Sequence, residues 1–274
     1  MKLQLLPSSV FTSETFIFVV GSSAREFAVH KNVFTRLSPY FETLMNGDMV
    51  EARNKCARWE NTDADAFAKL CQFAYSGNYE EPDVMDPVAS NRSINPRKFP
   101  ILNSSVLETF DDQILNIDLL STITTQKQWY GPRPRGHKTV KAFVDSPYSD
   151  SSSVYFESST SGLAIQKTHF DWLLCNVKMY ILGDTYDIKS LRTLSLEKIH
   201  NHLTNLPFRI HFRDLTGAVK YAVVNTREKD ELRVLLAHWA LCVTPMIWAE
   251  VENLLEEVPE LNMDYIRVMK DYME

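Results

Sequence analysis

Hydrophobic positions along the chain change period three times. Thr15–Val20 is a β-branched and aromatic run, which predicts a strand buried on both faces. Gly21-Ser22-Ser23 reads as a turn. Phe27 and Val29 then alternate with Glu26 and Ala28, giving a second strand and a hairpin. Val33, Phe34 and Leu37 take helical spacing. Ser38 can cap a new helix that Pro39 starts, with Tyr40, Phe41, Leu44 and Met45 along one side and Gly47 as its stop. Residues 48–55 read as a polar loop and Cys56–Trp59 as a further strand. Thr62 or Asp63 caps the next helix, where Phe67, Leu70, Cys71 and Ala74 fall at i, i+3, i+4 and i+7, and Ser76-Gly77-Asn78 ends it.

From 82 to 168 the periodicity stops. Prolines recur at 82, 87, 96, 100, 132, 134 and 147, and 145–161 is mostly Ser, Asp and Tyr. So long a polar stretch reads as a disordered insert, with at most a transient helix over 106–120. Helical spacing returns with Phe170, Leu173, Leu174, Val177 and Ile181. Asp187 is placed to cap a second helix carrying Ile188, Leu191, Leu196, Ile199 and Leu203, which Pro207 breaks. Three more helices follow. One is capped by Asp214 and carries Leu215, Ala218, Val219 and Ala222. The second carries Leu232, Leu235, Leu236, Trp239 and Val243. The third, after Thr244-Pro245, carries Ile247, Val251 and Leu254; a weaker segment covers 263–273. The expected organisation is a lead-in at 1–14, the first part of an α+β domain at 15–81, the insert at 82–168, the closing helices of that domain at 169–205, and a helical extension at 206–274. The insert should leave and re-enter at nearby points.

Composition adds limits rather than activities. The 274 residues suffice for one or two cores, and 45% apolar with 23% charged is ordinary for a globular protein. A net charge of −6 argues against general nucleic-acid binding. No run approaches the ~20 apolar residues of a membrane span. The opening Met-Lys-Leu-Gln-Leu-Leu-Pro is too short for a signal-peptide core. Four scattered cysteines, 56, 71, 175 and 242, read as buried free thiols of a reducing compartment, so the expected location is intracellular, in cytoplasm, nucleus or both.

Candidate chemistry is sparse. There is no Gly-x-Ser-x-Gly elbow and no glycine-rich phosphate loop, the whole chain having eight glycines. His30 reads as a structural histidine where a strand passes into a helix. His200 and His202, two apart on a helix, do not share a face as a metal pair would. Glu256-Glu257 reads as a solvated face. No catalytic, cofactor or metal residues are assigned, and the chain reads as a non-enzyme. Arg133, Arg135, His137, Lys138 and Lys141 form a short basic cluster, read as solvated linker, with a localisation signal or a nucleic-acid contact as the alternatives. Ser146-Pro147 beyond it is a candidate for phosphorylation.

Phe27-x-Val29-His30-Lys31-x-Val33-Phe34, Ser38-Pro39-Tyr40-Phe41 and Phe67-x-x-Leu70-x-x-Phe73-x-Tyr75-x-Gly77-x-Tyr79 resemble the BTB (POZ) domain. Tyr180-x-Leu182-Gly183-Asp184-x-Tyr186-Asp187-Ile188 resembles that family's last helical hairpin, and the whole is similar to divergent BTB proteins of filamentous fungi. The resemblance implies a small mixed sheet flanked by helical hairpins, and protein–protein interaction as the activity. It implies a partner such as a cullin scaffold, with the chain as substrate-recruiting adaptor of a ubiquitin ligase. The alternative is a self-associating scaffold or transcription-linked regulator, a homodimer. Where many dimeric members carry an aspartate before the first strand, this chain has Ser13, Glu14 and Thr15. The residues expected to meet a partner are Phe41, Leu44, Met45, Asn78, Tyr79 and Glu80.

Overall fold

The computed structural model describes residues 10, 12–82, 136–148, 169–204, 213–244 and 248–272. These form two compact units: the first holds 10–82 with 169–198, the second 136–148 with 199–272. The expectations for 83–135, Pro207, Pro245 and Ile247 lie outside the described residues, and Asp214, expected to cap a helix, lies within one that begins at Arg213.

In the first unit, β1 (Thr15–Val20) is the centre of a three-stranded sheet of order β2-β1-β3. It pairs antiparallel with β2 (Arg25–His30), Phe18 opposite Phe27, and parallel with β3 (Cys56–Trp59), Phe18 opposite Ala57. The alternation of a strand sends Phe16, Phe18 and Val20 to the core and leaves Ile17 39% exposed, so β1 is only partly double-faced. Phe18 is the hub of the core, with ring centroids of Phe16, Phe34, Trp59 and Phe67 between 4.8 and 5.6 Å away. Each such ring pair adds about 0.5–1.5 kcal/mol beyond area burial.

Short helices cover this core: α1 (Lys31–Phe34), α2 (Pro39–Asn46), α3 (Val50–Asn54) and α4 (Ala64–Ser76). The Ser38 hydroxyl accepts from the Phe41 amide at 3.5 Å, and Asp63 accepts from the Asp65 and Ala66 amides, so both caps act as read from sequence. Gly77 ends α4 at φ 72°, a left-handed position that suits glycine. α3 lies where a loop was expected; Met49-Val50-Glu51-Ala52-Arg53 offers no apolar stripe to reveal it. The deep face of α4 is Ala66, Phe67, Leu70 and Phe73, with Cys71 and Ala74 only partly buried. The expected loose lead-in is also corrected in part, because Val10 is buried in this core.

α5 (Gly136–Val144) overturns part of the disordered-insert expectation and belongs to the second unit. Later in the chain, α6 (His169–Thr185) and the start of α7 (Lys189–Thr204) finish the first unit, placing Met179, Leu182, Tyr186, Ile188 and Leu191 in the same core as Phe18. Asp187 does not cap α7: it takes φ 51° in the turn, two residues ahead of the helix. The turn is tight because a Cβ on Gly183 would stand 2.9 Å from Arg192 Cγ and 3.0 Å from its amide nitrogen. Tyr79, just before the insert, donates to Asn176, in the helix just after it, at 2.6 Å.

The second unit is helical. α8 (Arg213–Val224), α9 (Glu231–Val243), α10 (Trp248–Glu257), a 3-10 turn (Pro259–Leu261) and α11 (Asn262–Asp271) follow α7. α9 is its axis: Leu232, Leu235, Leu236, Trp239 and Val243 are all buried, with α5 and α11 packed on it. Asp230 caps it through the Leu232 amide. Buried Arg233 donates to Asp264 at 2.6 Å and to the Glu260 carbonyl, fixing α9 to α11. No described helix is long and apolar enough to cross a membrane.

Candidate partner-docking face of the first unit

α2 is an eight-residue helix with its apolar residues at 40, 41, 44 and 45. The structure buries Phe41, Leu44 and Met45 completely or nearly so, between the sheet, α1 and the Trp59–Tyr186 pair. These three expected partner residues are therefore core residues. A short helix gains walls on several sides, which periodicity alone does not count.

Tyr40 is the exception, at 40% exposed. Its ring leans on Tyr186 at 5.1 Å, and Tyr186 stacks on Trp59 at 4.4 Å and 8°. This explains the Tyr186 of the hairpin motif: it is a strut that holds Tyr40 outward. Partial burial and the Glu51 carboxylate raise the Tyr40 hydroxyl pKa, so the phenol stays protonated. On α3, Met49 is 52% and Val50 65% exposed. Tyr40 on α2 and Met49 and Val50 at the start of α3 are thus exposed apolar side chains, with Glu42, Asp48 and Glu51 on the same two elements and their link. Met49 and Val50 were not singled out from sequence; the signal was available as apolar residues in an otherwise polar stretch.

The second expected cluster, Asn78, Tyr79 and Glu80, is a strap rather than a surface. The Tyr79 ring is buried, and burial drives its hydroxyl pKa well up. Since its proton goes to Asn176 Oδ1, the Ser195 hydroxyl 3.2 Å away donates to Tyr79. Lys198 lies 4.1 Å from the Tyr79 ring centroid and donates to the Tyr79 carbonyl. Burial lowers the Lys198 pKa, and Glu81 at 3.6 Å opposes that. Asn78 is half-buried, its side chain accepting from the Tyr79 amide. Glu80 is exposed yet tied to α4, its carbonyl taking the Lys69 ammonium and its amide donating to Gln72.

The fold-motif residues have local roles. Phe27 and Val29 point from β2 toward the core, and Lys31 opens α1 with its amide on the Glu14 carbonyl at 2.8 Å. The Tyr75 hydroxyl stands 2.9 Å from both the His30 amide and its Nδ1, tying the end of β2 to α4. Asp184 pairs with Arg192 across the α6–α7 turn. Glu14, at the position compared with an aspartate, is an exposed carboxylate whose pKa is lowered by a hydrogen bond and charge from Lys55 and by Lys31.

Burial raises the thiols that were read as inert: Cys71 is pushed up to about 12, and Cys175 and Cys242 are also raised. Cys56 and Cys71 are only half-buried, a correction to four buried thiols; all four are free. Lys138 and Lys141 of the basic cluster are exposed on α5, while Arg133 and Arg135 lie outside the described residues.

The family model for the BTB/POZ domain matches residues 11–91. No curated protein matches the chain. Over residues 11–91 the mixed sheet and helical cover of the first unit coincide with the BTB/POZ domain match, consistent with a BTB domain-containing protein that also has a C-terminal helical region. A BTB/POZ domain is a protein–protein interaction module.

Proposed function

We propose that the chain is an adaptor that recruits a degradation target to a cullin-type ubiquitin ligase, docking the cullin with the α2–α3 face. One observation carries this reading. Within a domain that buries Phe41, Leu44 and Met45, Tyr40 on α2 and the consecutive Met49 and Val50 at the start of α3 stay exposed. Exposed aromatic and methionine anchors with a polar rim are the composition of docking sites. The carboxylates of Glu42, Asp48 and Glu51 favour a partner rim rich in Lys and Arg. The mechanism is burial of apolar anchors with no bond chemistry, and the target is held by the helical region. Four free thiols suit the reducing compartment in which such a ligase works.

A direct test is biolayer interferometry of the full chain on a purified cullin N-terminal domain. Val50→Glu and Met49→Glu, both at exposed positions, should leave thermal stability unchanged and weaken binding at least 10-fold, since burying an unpaired charge costs more than 1.4 kcal/mol. Unchanged binding, or no binding by the wild type, would overturn the reading. Self-association is the second reading. It is favoured by β2 and β3, each of which has one edge unpaired among the described residues. Sedimentation giving a tight dimer without cullin binding would select it.

A further inference from the structure

α5 is held in an unusual way. Its two buried residues, Thr139 and Phe143, stand four apart and so share one face. Both are gripped through their main-chain carbonyls. His238 Nε2 donates to the Thr139 carbonyl at 3.0 Å, and His200 Nε2 donates to the Phe143 carbonyl at 2.7 Å. The Phe143 ring lies between the same two imidazoles, 4.8 Å from His200 and 5.2 Å from His238. Lys138, Lys141 and Ala142 face solvent.

A nine-residue helix is too short to be stable alone in water. α5 therefore owes its form to the surface that receives it. The contacts that hold it include two carbonyls that any helix offers and two buried side chains, Thr139 and Phe143. This is how a groove binds an amphipathic helical peptide with a single anchor. The helix also comes from the chain segment that interrupts the first unit, not from the run of helices that builds the second.

We infer that the His200–His238 face of the second unit is a binding site for an amphipathic helix with a small or β-branched residue at one position and phenylalanine four residues on, and that α5 occupies it in cis as an exchangeable internal ligand. A partner helix of that pattern binds by displacing α5. The inference is independent of cullin docking, which concerns the first unit.

The test uses the full chain and a fluorescein-labelled peptide of residues 136–148. Two variants empty the site differently. Phe143→Ala removes the anchor, while Lys141→Pro breaks the helix at an exposed position without touching a buried side chain. By fluorescence anisotropy, the peptide should bind both variants at least 10-fold tighter than the wild type, and a peptide carrying Phe143→Ala should bind none of them. Equal binding to wild type and variants, or no binding to variants that keep wild-type helical circular dichroism, overturns the inference. So does cooperative unfolding of both variants, because a helix whose loss unfolds the unit is a core element and not an exchangeable ligand.

Discussion

Replacing Tyr79 with phenylalanine removes one oxygen and tests how the BTB domain closes around its insert. The ring, its contact with Lys198 and the carbonyl bonded to Lys198 all remain. What is lost is the donor to Asn176 Oδ1, an atom of a fully buried residue, and the acceptor for buried Ser195. An orphaned buried polar group costs about 1–3 kcal/mol. With a urea slope near 2 kcal/mol/M, a loss of about 2 kcal/mol moves the midpoint down by about 1 M. Trp59 and Trp172 report the transition by fluorescence, both lying in the first unit. Asn176→Leu alone should cost less, since Tyr79 still has Ser195 beside it. The double variant, with the polar pair replaced by apolar groups, should be less destabilised than the sum of the singles by about 1 kcal/mol. Strict additivity, or a Tyr79→Phe cost below about 0.5 kcal/mol, would refute the claim that this bond joins the two sequence halves of the domain.

Two further expectations concern the second unit. Asp264→Asn leaves the buried Arg233 guanidinium without its counter-charge and should cost about 3–5 kcal/mol, whereas Glu228→Gln, at an exposed pair with Arg267, should cost under about 1 kcal/mol; chemical denaturation separates them, and equal costs would be contrary. Burial lowers the pKa values of His200 and His238 below the ordinary 6.5, their mutual repulsion adding to this for His238 and nearby Asp271 opposing it, with Tyr272 packed on the His238 ring. The unfolded chain then takes up protons first, so stability is full above about pH 6.5 and falls as the pH drops through and below it. Melting at pH 7.5 and 5.5 should show this fall, and His200→Gln with His238→Gln, which keep a donor for each carbonyl, should reduce it; an undiminished fall would be contrary.

How much of this was legible in the sequence depended on where each partner lies along the chain. β1, β2 and α4 declare themselves because a strand or an amphipathic helix repeats locally, and Ser38 and Asp63 cap helices within three residues of themselves. The BTB motif was readable for the same reason. Phe41, Leu44 and Met45 are core rather than surface, and for Phe41 the walls, Phe34, Trp59 and Tyr186, arrive from elsewhere in the chain. The Tyr79–Asn176–Ser195 bonds span 97 and 116 residues of chain, and no local signal marks them. Asp187 has a capping side chain, but it takes a left-handed conformation in the turn two residues ahead of α7. α5 stayed hidden because, among its described side chains, Thr139 and Phe143 alone are fully buried, and the two histidines that hold it lie on other helices.

The most direct test of the docking face is hydrogen–deuterium exchange of the full chain with and without a cullin N-terminal domain. The adaptor reading predicts slowed exchange over residues 39–54, which carry Tyr40, Met49 and Val50, and unchanged exchange over 213–224. Protection absent from 39–54, or confined to the edges of β2 and β3 as self-association requires, would contradict it.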